Sequence, residues 1–261
     1  MRPHFVVPSM EKTSLKLWCA YPDDLKADGV AEACAAILNE EERARVARFK
    51  FERHRQESLA TRALVRTALS RHRAVAPGDW KFKLNPQGKP ETDPECGLSF
   101  NLSNSLGLVV CLVAEGMDSR VGVDVEPHDR AKQIMELVPK VFSPVEQTQL
   151  AALPDGEKAD RVLSLWTLKE SYIKARGLGL LIPLDKFSFV FGGAVGIRLE
   201  IDASLGDDAQ WTFCQLDHAG HRIAVMVDST PASRLELWEA RPTIAEPARV
   251  CAKAVQWFSR E

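Results

Sequence analysis

Apolar and polar positions alternate over short runs and recur with a helical period over longer ones. Positions 15–21 read as a first strand. A helical region at 30–49 follows, then a helix at 52–72 that buries Leu59, Ala63, Val65 and Leu69 on one side. Pro77 and Gly78 break that helix. Trp80-Lys81-Phe82-Lys83-Leu84 alternates as a strand and runs into an Asn-Pro-Gln-Gly-Lys-Pro turn at 85–90. Strands are expected at 98–103, 108–114 and 121–126, the middle one apolar almost throughout. Helices between 131 and 176, then strands at 187–190, 197–201, 211–216 and 222–227, repeat the outline.

The order predicts an α+β fold of two similar halves, although no internal sequence repeat is visible. The N-terminal half spans 1–118 and the C-terminal half 119–230, with the boundary in a linker at 115–120. Residues 231–261 are expected to be an extension packed on the body, with a short helix at 247–258 and no role in the chemistry.

Composition narrows the function classes. Of 261 residues, 45% are hydrophobic and 27% charged, as in an ordinary globular protein. Lys plus Arg total 34 against 36 Asp plus Glu, so the net charge of −2 argues against general nucleic-acid binding. Within that balance, ten basic residues from Arg43 to Arg73 form a cluster suited to a compact phosphorylated ligand or an acidic protein, or simply two solvated helix faces. The six cysteines are scattered without a CxxC pair, which favours reduced buried thiols and a cytoplasmic setting. No apolar stretch reaches the length of a membrane span, and the first 16 residues are too polar for a signal peptide.

The chemistry begins at Gly122-Val123-Asp124-Val125-Glu126. Residues i and i+2 of a strand share a face, so both carboxylates leave together while Val123 and Val125 bury on the other side. Such a pair is either a solvated strand edge or the start of a hard-oxygen site for a cation such as Mg2+. In the helical stretch 162–174, at about 100° per residue, Leu163, Trp166, Ile173 and Lys174 fall on the same side as Glu170. A carboxylate in that apolar arc needs a partner: Lys174 one turn on, or a metal shared with Asp124 and Glu126. Ser143, Pro144 and Glu146 fit N-cap, N1 and N3 of a capping box, which accounts for Glu146 unless it lies near an incoming hydroxyl. Lys89 in its turn, Ser103 and Asn104 in theirs, and Arg53 and Arg62 in the basic stretch either meet phosphate or serve turns and solubility.

Taken in order, 85–90, Phe100-Asn101-Leu102-Ser103, Gly122-Val123-Asp124-Val125-Glu126, Phe142 with Glu146, and Trp166-Thr167-Leu168-Lys169-Glu170-Ser171 with Lys174 resemble the Sfp-type 4'-phosphopantetheinyl transferases over positions 38–227. The resemblance implies their fold, a pseudo-dimer of two α+β halves with coenzyme A between them. It implies a monomer that moves 4'-phosphopantetheine from coenzyme A to a serine of an acyl, peptidyl or polyketide carrier protein, releasing adenosine 3',5'-bisphosphate. Magnesium ligands would be Asp124, Glu126 and Glu170. Lys174, Lys89, Arg53, Arg62 and Ser103 would meet the phosphates and nucleotide, with Asn104 and Asp124 beside them. Glu170 would act as base, with Glu146 as second choice. The family commonly has His where this chain has Asn104, which can donate a hydrogen bond but cannot become cationic. The rival readings are a Mg2+-dependent nucleotide pyrophosphohydrolase and an inactive module that binds coenzyme A or a carrier.

Overall fold

The computed structural model describes residues 13–115, 120–192, 196–228, 231–240, 248–249 and 256–260. Its first half runs β1 (Thr13–Ala20), α1 (Val30–Ala36), α2 (Glu40–Ala47), α3 (Glu52–Ser70), β2 (Phe82–Leu84), β3 (Pro90–Thr92), β4 (Leu98–Ser105) and β5 (Leu108–Glu115). The second runs β6 (Val121–Pro127), α4 (Ala131–Met135), α5 (Val138–Val141), α6 (Pro144–Ala151), α7 (Asp155–Arg176), β7 (Phe187–Phe191), β8 (Ile197–Ile201), β9 (Trp211–His218) and β10 (His221–Asp228). Three further strands follow: β11 (Pro231–Glu239), β12 (Ala248–Arg249) and β13 (Phe258–Ser259).

The expected helix at 30–49 is two. Asn39 interrupts it by capping α2: its Oδ1 accepts from Glu42 N at 2.8 Å, and Glu42 Oε2 accepts from Asn39 N at 3.2 Å. That reciprocal pair satisfies N–H groups a continuous helix would bond to its own carbonyls.

The two larger sheets have the orders β12-β11-β1-β5-β4 and β13-β9-β10-β6, and β2-β3 and β7-β8 form two-stranded sheets. All neighbours are antiparallel except β1 and β11, which run parallel. The C-terminal segment adds strands to both larger sheets. Leu235 and Leu237 of β11 pair with Leu15 and Leu17 of β1 and are buried, because β1 needs a second neighbour to satisfy its other edge. β13 pairs with β9 in the other sheet. The helix expected at 247–258 falls mostly outside the described residues, and its last position, Phe258, is in β13.

Side-chain alternation shows how the halves join. Val109, Cys111 and Val113 of β5 pack with Ala63, Leu64 and Leu69 of α3. The intervening Leu108, Val110 and Leu112 pack against Val121, Val123 and Val125 of β6 and Ile223 and Val225 of β10. On the far face of the second sheet, Ala224, Met226 and Phe213 meet Leu165, Leu168 and Tyr172 of α7. The two sheets thus lie face to face with a helical layer outside each, and the continuous apolar run of β5 reflects burial on both faces. No described helix is long and apolar enough to cross a membrane.

Candidate functional site

The site lies where β4, β6 and α7 meet. The edge of β6 away from β10 is closed by side chains of β4: Asn101 Oδ1 accepts from Val123 N at 2.8 Å, and Ser103 Oγ accepts from Val125 N at 3.3 Å. Alternation then turns Asp124 and Glu126 toward α7, both almost fully buried. Gly122 permits the helix to come this close. A Cβ there would lie 2.0 Å from Ser171 O and 2.5 Å from Ala175 N, both backbone atoms.

Four side chains predicted from sequence come together around Asp124. Lys174 Nζ donates to Asp124 Oδ1 at 2.7 Å and to Ser103 Oγ at 2.8 Å, and Ser103 Oγ donates to Asp124 Oδ1 at 3.0 Å. Asp124 Oδ2 is buried and has no hydrogen-bond partner. Glu170, one turn before Lys174 on α7, is half-buried. Burial first, and then the charge of Asp124, raise its carboxyl above the usual range; Glu126 adds to this, while Lys174 and Arg130 oppose it. Burial and Asp124 raise Glu126 in the same way, against Arg130, Ser105 and Trp166. Asp124 thus acts electrostatically on both Glu126 and Glu170.

Three groups at Glu126 were not singled out as its partners from sequence. Arg130 Nη1 and Ser105 Oγ each donate to Glu126 Oε2 at 2.9 Å, and Trp166 Nε1 donates to Oε1 at 3.1 Å. Trp166 lies four residues before Glu170 and Arg130 four after Glu126, spacings that carry the signal but do not distinguish a packing side chain from a donor.

Other candidate residues have partners away from Asp124. Lys89 does not present a free ammonium to phosphate: its Nζ donates to Val121 O and Lys174 O, both at 2.9 Å, and to Ala175 O at 3.4 Å. Its turn is built by Asn85, whose Oδ1 accepts from Gln87 N and Lys89 N at 2.9 and 2.8 Å, while Asn85 Nδ2 donates to Gly177 O at 3.0 Å. The turn thus caps the end of α7, and burial brings the Lys89 pKa down to about 8. Glu146 is bound into the fold as well. It completes the capping box of α6 with Ser143, accepts from Phe189 N at 2.8 Å, and pairs with Lys169 at 2.7 Å, fully buried. Its oxygens are engaged and shielded from water. Asn104 is exposed, on the strand face opposite Ser103. Arg53 is exposed in the first turn of α3, with its guanidinium 6.0 Å from the Phe51 ring. Arg62 sits among Glu42, Arg45, Arg66 and Glu41. No hydrogen bond or ion pair among the described residues joins Arg53 or Arg62 to the carboxylates.

The donor set suits a hard divalent cation: three carboxylates, one with an orphaned buried oxygen. As the side chains lie, no three acidic, histidine or cysteine groups among the described residues converge tightly enough to enclose an ion. Lys174 and Arg130 instead supply the positive charge.

Fold and site together define an α+β protein with a carboxylate-centred site where its two halves meet. Comparison with known proteins makes the class specific. The model for the N-terminal part of 4'-phosphopantetheinyl transferases matches residues 27–117, and that of the 4'-phosphopantetheinyl transferase superfamily matches 120–226. The chain is 37% identical over 149 residues to 4'-phosphopantetheinyl transferase HetI of Nostoc sp., covering 56% of this chain and 62% of that protein. It is 34% identical to a phosphopantetheinyl transferase of Thraustochytrium sp., covering 84% of this chain and 78% of the relative. It is 31% identical to 4'-phosphopantetheinyl transferase Sfp of Bacillus subtilis, covering 67% and 75%. The chain belongs to the 4'-phosphopantetheinyl transferase family.

Proposed function

We propose that this chain is a holo-carrier-protein synthase that moves 4'-phosphopantetheine from coenzyme A to a serine hydroxyl of an apo acyl or peptidyl carrier protein. The observation that carries the reading is the meeting of Asp124, Glu126 and Glu170 with Lys174 at the seam, with Asp124 Oδ2 lacking a partner. Asp124, Glu126 and Glu170 would hold Mg2+, which when bound neutralises charge on the diphosphate. Lys174 adds a point charge toward the same phosphates. Glu170, its carboxyl raised by burial and by Asp124, takes the proton of the carrier serine. The serine oxygen bonds to the phosphorus bearing the pantetheine arm, the bond to the other phosphate breaks, and adenosine 3',5'-bisphosphate leaves with the electron pair. Positioning and charge stabilisation suffice for this step, so no covalent enzyme intermediate is needed.

Both halves of the seam come from one chain, so a monomer is sufficient. Buried thiols such as Cys19, Cys111 and Cys214 suit the cytoplasm. The test is to incubate the protein with coenzyme A, Mg2+ and an apo carrier, then weigh the carrier. A gain of one phosphopantetheine group, abolished by chelation, is expected. Asp124→Asn should lower the rate by about 100-fold or more. Release of phosphopantetheine to water with no gain on the carrier would select the pyrophosphohydrolase instead, and Asp124→Asn at wild-type rate would defeat the ligand assignment.

A further inference from the structure

Arg130 has no part in the steps above, yet it is bonded to one of the three carboxylates. It closes the single turn His128–Arg130 that follows β6 and leads into α4. Its side chain is 42% exposed, whereas that of Glu126 is 7% exposed, so the guanidinium reaches in from the mouth of the site. Glu126 is fully dressed by Arg130 and Ser105 on Oε2 and Trp166 on Oε1. Lys174 does the same for Asp124, but it is also tied to Ser103 and is less exposed, at 27%. Of the two cations, Arg130 is held by less and sits nearer water.

A guanidinium and a divalent cation cannot share Glu126 Oε2 at hydrogen-bond distance without strong repulsion in a site shielded from water. Moving Arg130 away costs little when the entering cation takes its place at buried Glu126, because the half-exposed guanidinium passes to water. We propose that Arg130 is a counter-ion latch. It neutralises Glu126 in the metal-free chain and yields that carboxylate when a divalent cation enters. The freed guanidinium then meets the phosphates of the incoming co-substrate, for which a planar fork of donors is suited. The inference rests on the transferase reading of the site and adds a loading step to it.

Mn2+ binding, measured by calorimetry or electron paramagnetic resonance without coenzyme A, tests the latch apart from catalysis. Arg130→Gln should bind Mn2+ several-fold tighter than wild type, up to about tenfold. Arg130→Lys, which keeps the charge, should stay near wild type. Lys132→Gln makes the same change of charge at an exposed position two residues on and should alter affinity less than about twofold. Adenosine 3',5'-bisphosphate in the presence of Mn2+ should bind Arg130→Gln more weakly than wild type. Equal or weaker Mn2+ affinity in a folded Arg130→Gln, checked by its urea midpoint, overturns the latch. So does an equal gain in Lys132→Gln, which would mean a general field effect. Wild type that takes up no Mn2+ even with coenzyme A would instead overturn the transferase reading on which the latch depends.

Discussion

At Gly122 the backbone of β6 touches the backbone of α7. A methyl group there would meet Ser171 O at 2.0 Å and Ala175 N at 2.5 Å, and neither can swing aside as a flexible side chain would. Gly122→Ala should therefore destabilise the chain by about 3 kcal/mol, read from its urea midpoint. The carboxylates that this contact brings together make a second prediction. Glu126 and Glu170 are held above the usual carboxylate range, chiefly by burial and then by Asp124. A raised acid binds its proton more tightly in the folded than in the unfolded chain. Stability is thus lost as pH rises from the ordinary carboxylate pKa through the raised one, and stays low above it. In a chelating buffer, the urea midpoint should fall over that window, and Glu170→Gln should flatten the fall. Parallel curves for the two proteins would mean that Glu170 is not strained by its neighbours.

Between elements, buried polar contacts add to the apolar packing that holds α7 in place. Lys169 and Glu146, at 2.7 Å, lock α7 to α6, while Glu146 also anchors β7 through Phe189 N. Removing one charge from such a pair leaves the other buried alone. Glu146→Gln should cost about 3 kcal/mol of stability, whereas kcat per folded molecule should change less than about twofold. A large loss of kcat with stability intact would restore Glu146 to the chemistry. At the C-terminal end of α7, Asn85 and Lys89 cap its last carbonyls from the first half. Lys174, whose ammonium holds Asp124, shares its carbonyl with that cap. The turn at 85–90 is therefore bonded to the backbone of the residue that holds Asp124.

Across the whole molecule, the chain returns to its own beginning. β11 lies between β1 and β12, so the first sheet contains strands from both ends of the sequence. Truncation after Asp228 would strip β1 of its parallel partner and expose Leu15, Leu17 and the stacked Trp18, whose ring lies 5.5 Å from that of Trp238. The shortened chain is expected to lose cooperative unfolding and to aggregate, as seen by calorimetry and light scattering. A soluble, active fragment would show that the second half and the remaining strands are sufficient. The face-to-face packing of the sheets also makes the halves mutually dependent, since Val121, Val123 and Val125, on the back of the acidic strand, are buried against β5.

Local pattern was enough to place most strands, the long helices and the faces of Asp124, Glu126 and Glu170, because strand and helix periods are properties of neighbouring residues. The motif order similarly pointed to the family. What sequence could not supply was the company each polar group keeps. The capping box of Glu146 was legible, but its buried pair with Lys169 was not, nor were the cap made by Lys89 and the bonds of Arg130 and Ser105 to Glu126. The parallel pairing of β11 with β1 was equally invisible. Partners distant along the chain are chosen by which unsatisfied edges and charges the packed fold brings face to face, and only the tertiary structure decides that.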